Sequence, residues 1–239
     1  YDIGHVFGTN SGGLAGLGVV CNNTQKARGV TGSSAPIGDS FDVDYVGHEM
    51  GHQFGGNHTF NNSCNNNRNN ATAIEPGSGT TIMGYAGICA PDIQNFGDDH
   101  YSGISLEEFD NEILSAGHTC EVITTLANAA PVITSTNGNI TVPANTPFAL
   151  TAIASDPDGD LLTYNWEQMN NEISTQPPVA NATGGPNFRS LSSSTSPTRY
   201  FPNLVDLANG GPFTWEVIPS VTRTMDFRLT LRDNSSAAG

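Results

Sequence analysis

The chain has 239 residues and carries 8 Lys+Arg against 23 Asp+Glu, a formal net charge of −15. That acidic balance excludes a surface for nucleic acid or an anionic membrane, both of which need a basic footprint, and no run reaches the roughly 18 apolar residues of a membrane helix. Charged residues are only 13% of the chain, so solubility rests on Asn, Ser, Thr and Gly, while 36% hydrophobic content with 11 Phe and 6 Tyr can bury a core and excludes a disordered chain.

Four cysteines, Cys21, Cys64, Cys89 and Cys120, lie far apart and form no CxxC pair. Their spacing suits two long-loop disulfides better than a zinc ribbon, with four free thiols as the alternative. Together with 14 Pro and a single lysine, Lys26, it predicts an exported, secreted protein. The chain opens at Tyr1 rather than Met, which predicts a processed or excised product.

In chain order, residues 12–20 are small and apolar and read as a strand edge ending at Cys21. Val43, Val46, Met50 and Phe54 fall at helical spacing, which predicts a helix over 43–54 with Ser40 or Asp42 as cap and Gly55-Gly56 as stop. Residues 61–70 are rich in asparagine and predict a surface loop. A second helix is expected over 106–116. Ser105 and Glu108 have capping-box spacing, Leu106, Phe109, Ile113 and Leu114 form its apolar face, Glu107-Glu108 reads as solvated, and Gly117 ends it. All histidines and cysteines precede Ala129-Ala130-Pro131, and short β-rich runs separated by Pro, Gly and Asn follow, so a boundary falls near 128–131. Strands are expected at 131–134, 140–142, 148–153, 162–166, 214–217 and 227–231, the pattern of an antiparallel sandwich with Trp166 in its core.

The segment from His48 to His58, HEMGHQFGGNH, carries the chemistry. His48 and His52 are four apart, so on a helix their rings share one face and can share a metal. Gly55 can leave the helix with positive φ and bring His58 back as a third nitrogen ligand. Three imidazoles with a fourth position open to water describe a catalytic zinc site rather than a closed structural one. Glu49, next to a ligand, is placed to take a proton from water at that position. His5, His100 and His118 have no partner spacing and read as structural or surface residues.

The pattern HExxHxxGxxH resembles that of the metzincin zinc peptidases, and Thr80-Thr81-Ile82-Met83-Gly84-Tyr85 resembles their Met-turn. The resemblance covers residues 1–127. It implies an α+β metzincin-type catalytic domain, with Met83 as a packing base under the ligands and Tyr85 as a second catalytic residue near the metal. It also implies zinc-activated water with Glu49 as general base, and a peptide or protein as substrate. The favoured branch is a bacterial reprolysin (adamalysin)-like one, and it implies disulfides Cys21–Cys120 and Cys64–Cys89. Thr59 follows the third histidine where reprolysins typically carry Asp, and His58-Thr59-Phe60 is more similar to the pappalysin branch. The edge strand near 13–18 is expected to hold an extended substrate by strand addition, and residues 86–96 to shape the pocket after the cleaved bond. Only 47 residues precede His48. This predicts an N-terminally truncated domain, whose remainder, or a pro-segment, is a candidate partner. The Asn57 sequon lies inside the zinc motif, which points to an organism that leaves it unglycosylated.

Asp156, Asp158 and Asp160 alternate on a loop between strands and offer hard oxygen ligands for calcium, although Asp, Pro and Gly also make a turn without any metal. The stretch 154–166 resembles PKD-like, cadherin-like and fibronectin-III-like sandwich domains of exported bacterial proteins. The expectation is therefore a secreted zinc metalloendopeptidase region, 1–127, followed by an all-β immunoglobulin-like sandwich, 131–239. The competing expectation is a non-enzymatic fragment or adhesion and matrix-binding module that retains a zinc site.

Overall fold

Short, glycine-rich strands open the computed structural model, which describes residues 1–115, 118, 120, 122 and 124–235. Strands β1 (Val6–Gly8), β2 (Gly12–Ala15) and β3 (Gly29–Gly32) form one sheet in the order β1-β3-β2, with β3 parallel to β1 and antiparallel to β2. β2 is an edge strand inside the segment 12–20 expected to be one, but it stops at Ala15: residues 16–20 continue as bends and a turn, with Gly18 at φ 58°, rather than as a strand to Cys21. Strands β1 and β3 are too short to show alternation in the sequence and were not expected.

Residues 39–53 are helical in three pieces: α1 (Asp39–Phe41), a π-helical turn (Asp42–Gly47) and α2 (His48–Gln53). This corrects the expectation of one regular helix over 43–54. The helical run starts at Asp39 after Gly38, and neither Ser40 nor Asp42 caps it. The wide turn is supported from outside: Tyr101 donates its hydroxyl to the Gly47 carbonyl at 2.6 Å. A π turn bonds i to i+5 and often accompanies a functional site, because it re-aims the helix that follows.

The second helix, α3 (Gly103–Ser115), begins three residues before the expected start. Ser102, not Ser105, takes the capping position: its carbonyl accepts from Leu106 N–H at 3.1 Å and its hydroxyl from Ser105 N–H at 3.4 Å. Glu108 instead accepts from Asn57, and Glu107 pairs with Arg228 at 2.6 Å. Phe109 packs edge-on against Tyr101 and Phe54, whereas Ile113 and Leu114, expected on the apolar face, are exposed. The expected stop at Gly117 lies outside the described residues. Cys21–Cys120 and Cys64–Cys89 are disulfide-bonded.

After residue 131 the described elements are β4 (Val132–Thr136), β5 (Phe148–Ser155), β6 (Thr163–Gln168), β7 (Thr198–Phe201), the short helix α4 (Leu204–Asn209) and β8 (Phe227–Arg232). They form a three-stranded sheet, β4-β5-β7, and a β6-β8 pair, all antiparallel. Leu150, Ala152 and Phe201 from one sheet meet Trp166 from the other around Phe188. Phe201 stacks on Phe148 at 4.9 Å and meets Phe227 at 4.8 Å. Residues 140–142 and 214–217 are not strands as expected: Ile140 and Val142 are exposed, and 214–217 contribute a single bridge, Glu216 to Phe188.

The segment after β6 reaches across to the first part of the chain. Asn171 donates to the Ala71 carbonyl, Asn61 to that of Glu172, and Gly77 N–H to Gln176 at 2.8 Å. Glu167 of β6 accepts from Gly103 N–H at 2.7 Å, at the start of α3. The expected asparagine-rich surface loop is thus only partly one. Asn61 and Asn62 are buried and spent on hydrogen bonds, and exposure begins at Ser63.

Candidate metal centre

The site is built where α2 ends. Phe54 closes the helix, Gly55 adopts φ 90°, and the chain reverses. Gly55 N–H donates to His52 O at 2.9 Å and Gly56 N–H to Gly51 O at 2.9 Å, the paired bonds of a Schellman ending. The reversal carries Asn57 against α3, where Glu108 accepts from Asn57 N–H at 2.8 Å and from its side-chain amide at 2.7 Å. His58 follows, and its ring comes to 4.7 Å from that of His52 and 5.2 Å from that of His48.

Each ring is held through Nδ1. His48 Nδ1 faces the Ile82 carbonyl, His52 Nδ1 the Gly56 carbonyl and His58 Nδ1 the Asn67 carbonyl, each at 2.7 Å. A carbonyl only accepts, so Nδ1 carries the proton in all three and Nε2 is left with a bare lone pair. Burial favours the neutral rings: His48 is pushed down to about 3 and His58 to about 4 by burial and by the neighbouring imidazoles, and His52 is lowered by burial. Three ligand atoms lie within 4.8 Å of one another, and His52 Nε2 and His58 Nε2 are 3.1 Å apart. Two lone pairs at that distance repel unless a cation sits between them. Backbone carbonyls that accept from the far nitrogen commonly orient a metal-bound histidine and fix its tautomer. Three imidazoles suit zinc, with room for one more ligand.

Met83 is fully buried, its Sδ against Gly51 of α2. Gly84 N–H closes a turn on Thr81 O at 2.8 Å, and Thr59 N–H donates to Met83 O at 3.1 Å, so the turn is tied to the residue after His58. The Tyr85 ring lies 4.6 Å from His58 and 5.5 Å from His48.

Residues 1–110 match the family model described as metallo-peptidase family M12B, reprolysin-like. The protein is a zinc metalloendopeptidase. Its histidine triad and the matched region, residues 1–110, are similar to those of reprolysin-like metzincin peptidases. No curated protein and no solved structure matches the peptidase.

Glu49 of the peptidase is half-buried with its carboxylate against Gly13 of β2, and burial pushes it up to about 7. Burial, and then the Glu49 charge, hold the Tyr85 phenol above its ordinary range. The three loop aspartates are placed far from this cluster in sequence and are drawn into a turn. Asp156 Oδ1 accepts from Asp158 N–H at 2.8 Å and Asp160 N–H at 3.0 Å, and Asp158 Oδ2 from Ala129 N–H. His5 spans Gln53 and Thr31 at 2.7 Å each, His100 reaches Ser190 and His118 the Glu112 carbonyl; none joins the triad. Two acids near the site, Glu108 bonded to Asn57 and Glu75 bonded to Thr59, escaped sequence reasoning. Glu108 carries capping-box spacing that concealed its bond to Asn57, and Glu75 sits in a stretch with no motif.

Proposed function

We propose that this zinc metalloendopeptidase is a secreted enzyme that cleaves extended peptide segments, with Glu49 as general base and Tyr85 assisting. The supporting observation is the convergence of the His48, His52 and His58 ligand atoms, with the Glu49 charge felt at Tyr85, whose ring lies against those of His58 and His48. Zinc, when bound by His48, His52 and His58, supplies Lewis acidity that brings water towards a pKa of about 7 and polarises the scissile carbonyl. Glu49 takes the proton of the attacking water and returns it to the leaving amine, a task suited to a carboxylate raised by burial. Tyr85, protonated at neutral pH, donates towards the oxygen on which charge develops. The free edge of β2 offers main-chain groups to a substrate strand, and residues 86–96, with Ile88 and Phe96 exposed, are assigned to the pocket for the residue after the cleaved bond. Both disulfides support an oxidising compartment. We take residues 1–127 as the catalytic region and 131–239 as an immunoglobulin-like sandwich packed behind it.

The test is hydrolysis of a mixed quenched-fluorescent peptide library by the wild-type chain and Glu49→Ala, each with and without a chelator. Cleavage that the chelator abolishes and that falls by roughly 10²–10⁴-fold in Glu49→Ala is expected. Equal cleavage by both proteins would remove Glu49 from its role. Calcium at Asp156, Asp158 and Asp160 is a second reading, favoured by one feature: Asp156 Oδ2 is enclosed with no hydrogen-bond partner. A melting temperature that calcium raises and magnesium does not would support it, and an unmoved one would end it.

A further inference from the structure

Glu75 is almost fully enclosed, yet it has no part in the chemistry above and joins no ion pair among the described residues. Its carboxylate accepts from five donors. Oε1 takes the Thr59 hydroxyl at 2.6 Å and the Thr81 hydroxyl at 2.5 Å; Oε2 takes Thr80 N–H at 2.7 Å, Thr81 N–H at 3.0 Å and the Thr80 hydroxyl at 3.3 Å. These donors come from two places that matter. Thr59 directly follows the third histidine, and Thr80-Thr81 directly precede the Ile82 carbonyl that fixes His48 Nδ1.

The backbone of Glu75 repeats the link. Its N–H donates to Thr59 O at 2.9 Å and its carbonyl accepts from Asn61 N–H at 2.9 Å, pairing the strand-like residues after His58 with the loop before the Met83 turn. Thr72 adds a bond to the His58 carbonyl at 2.6 Å. A carboxylate taken from water into this position is costly unless every lone pair is used, and here the donors use them. Such an acid is retained where geometry demands it.

We infer that Glu75 is a positioning residue of the metal centre: through Thr59 and Thr80-Thr81 it fixes the separation between His58 and the His48–Ile82 contact, and thereby the span of the three Nε2 atoms. The inference rests on the zinc reading of the triad. It differs from a purely structural role in what it moves, since losing Glu75 widens the ligand set as well as lowering stability.

The experiment measures zinc affinity by chelator competition, and the visible spectrum of the cobalt(II)-substituted protein, for the wild-type chain, Glu75→Ala, Glu75→Gln and Thr59→Val, with circular dichroism as the check on folding. Loss of an outer-shell partner of a metal site typically weakens binding roughly 10- to 100-fold, and that range is expected for Glu75→Ala with an altered cobalt spectrum. Glu75→Gln is expected to recover most of it, because its carbonyl can accept the two backbone N–H groups while its NH₂ donates to hydroxyls that can turn to accept. Thr59→Val keeps shape and removes one bond, so it reports on the link even if Glu75→Ala does not fold; a small loss of affinity in the same direction is expected. Folded variants with wild-type affinity and spectrum overturn the inference alone. A wild-type chain that binds no zinc overturns the zinc reading, and the inference with it.

Discussion

Glu49 and Gly13 come from segments that the sequence gives no reason to join, one on the zinc helix and one on the edge strand. A Cβ built on Gly13 would fall well inside contact distance of the Glu49 carboxylate. Gly13 is not among the residues of positive φ, so alanine suits its backbone and all the conflict falls on the carboxylate. Gly13→Ala should therefore leave the fold and the three histidines intact while swinging Glu49 aside. Misplacing a catalytic group by about 1 Å can reduce rate on the order of 10²-fold, and the loss belongs in kcat because Glu49 acts only in the reaction, moving the water's proton to the leaving amine. Steady-state kinetics with zinc content measured in parallel check this; an unchanged kcat would show that Glu49 tolerates displacement or does not act as proposed. The same pair shows what a sequence withholds. HExxH places Glu49 next to the ligands by helical spacing alone, but the residue facing it depends on how β2 lies across the helix.

At the scale of the elements, the ending of α2 decides where His58 goes. Gly55 sits at φ 90°, and a side chain there would also meet Glu112 Cβ at 3.2 Å. Gly55→Ala is expected to destabilise the chain by roughly 1–3 kcal/mol, the usual strain of a non-glycine residue held at such an angle. Urea unfolding with and without added zinc checks it. A gap between wild type and variant that widens with zinc would mean that the reversal, beyond adding strain, sets the ligand geometry. This reversal is legible in the sequence because its cause is local: a helical pair of ligands, a glycine and a third ligand three residues later. The π turn before His48 is not legible, because its support comes from Tyr101, far along the chain. Glu108 misleads for the same reason: its spacing from Ser105 suits a capping box, yet Asn57 offers two donors across the fold. β5, β6 and β8 announce themselves as runs of six or more residues carrying aromatic and β-branched side chains, whereas β1 and β3 are too short to show such a run and are paired with each other.

The whole molecule turns on a polar seam between the metal-bearing part and the β-rich part, and Glu167 is its buried acid. It accepts from Ser190 at 2.6 Å on its own side and from Gly103 N–H at 2.7 Å across the seam. Burial raises its pKa, the hydrogen bonds from Ser190 and Gly103 and the His100 charge oppose that, and the Glu75 charge adds to it; burial prevails. With the folded value above the ordinary one near 4.3, the folded chain binds more protons than the unfolded chain between the two. Stability contributed by this group is therefore complete below about 4.3 and is lost as pH rises through the folded value. Many other groups titrate in a chain of net charge −15, so the absolute slope says little. The comparison with Glu167→Gln isolates it, because the amide can still accept one of the two bonds and does not ionise. The melting temperature of the wild type minus that of Glu167→Gln should thus fall as pH is raised from about 5 to 8. Parallel curves would mean that Glu167 titrates alike in both states, which its enclosure between β6 and α3 contradicts; the seam would then open to water well before the chain unfolds.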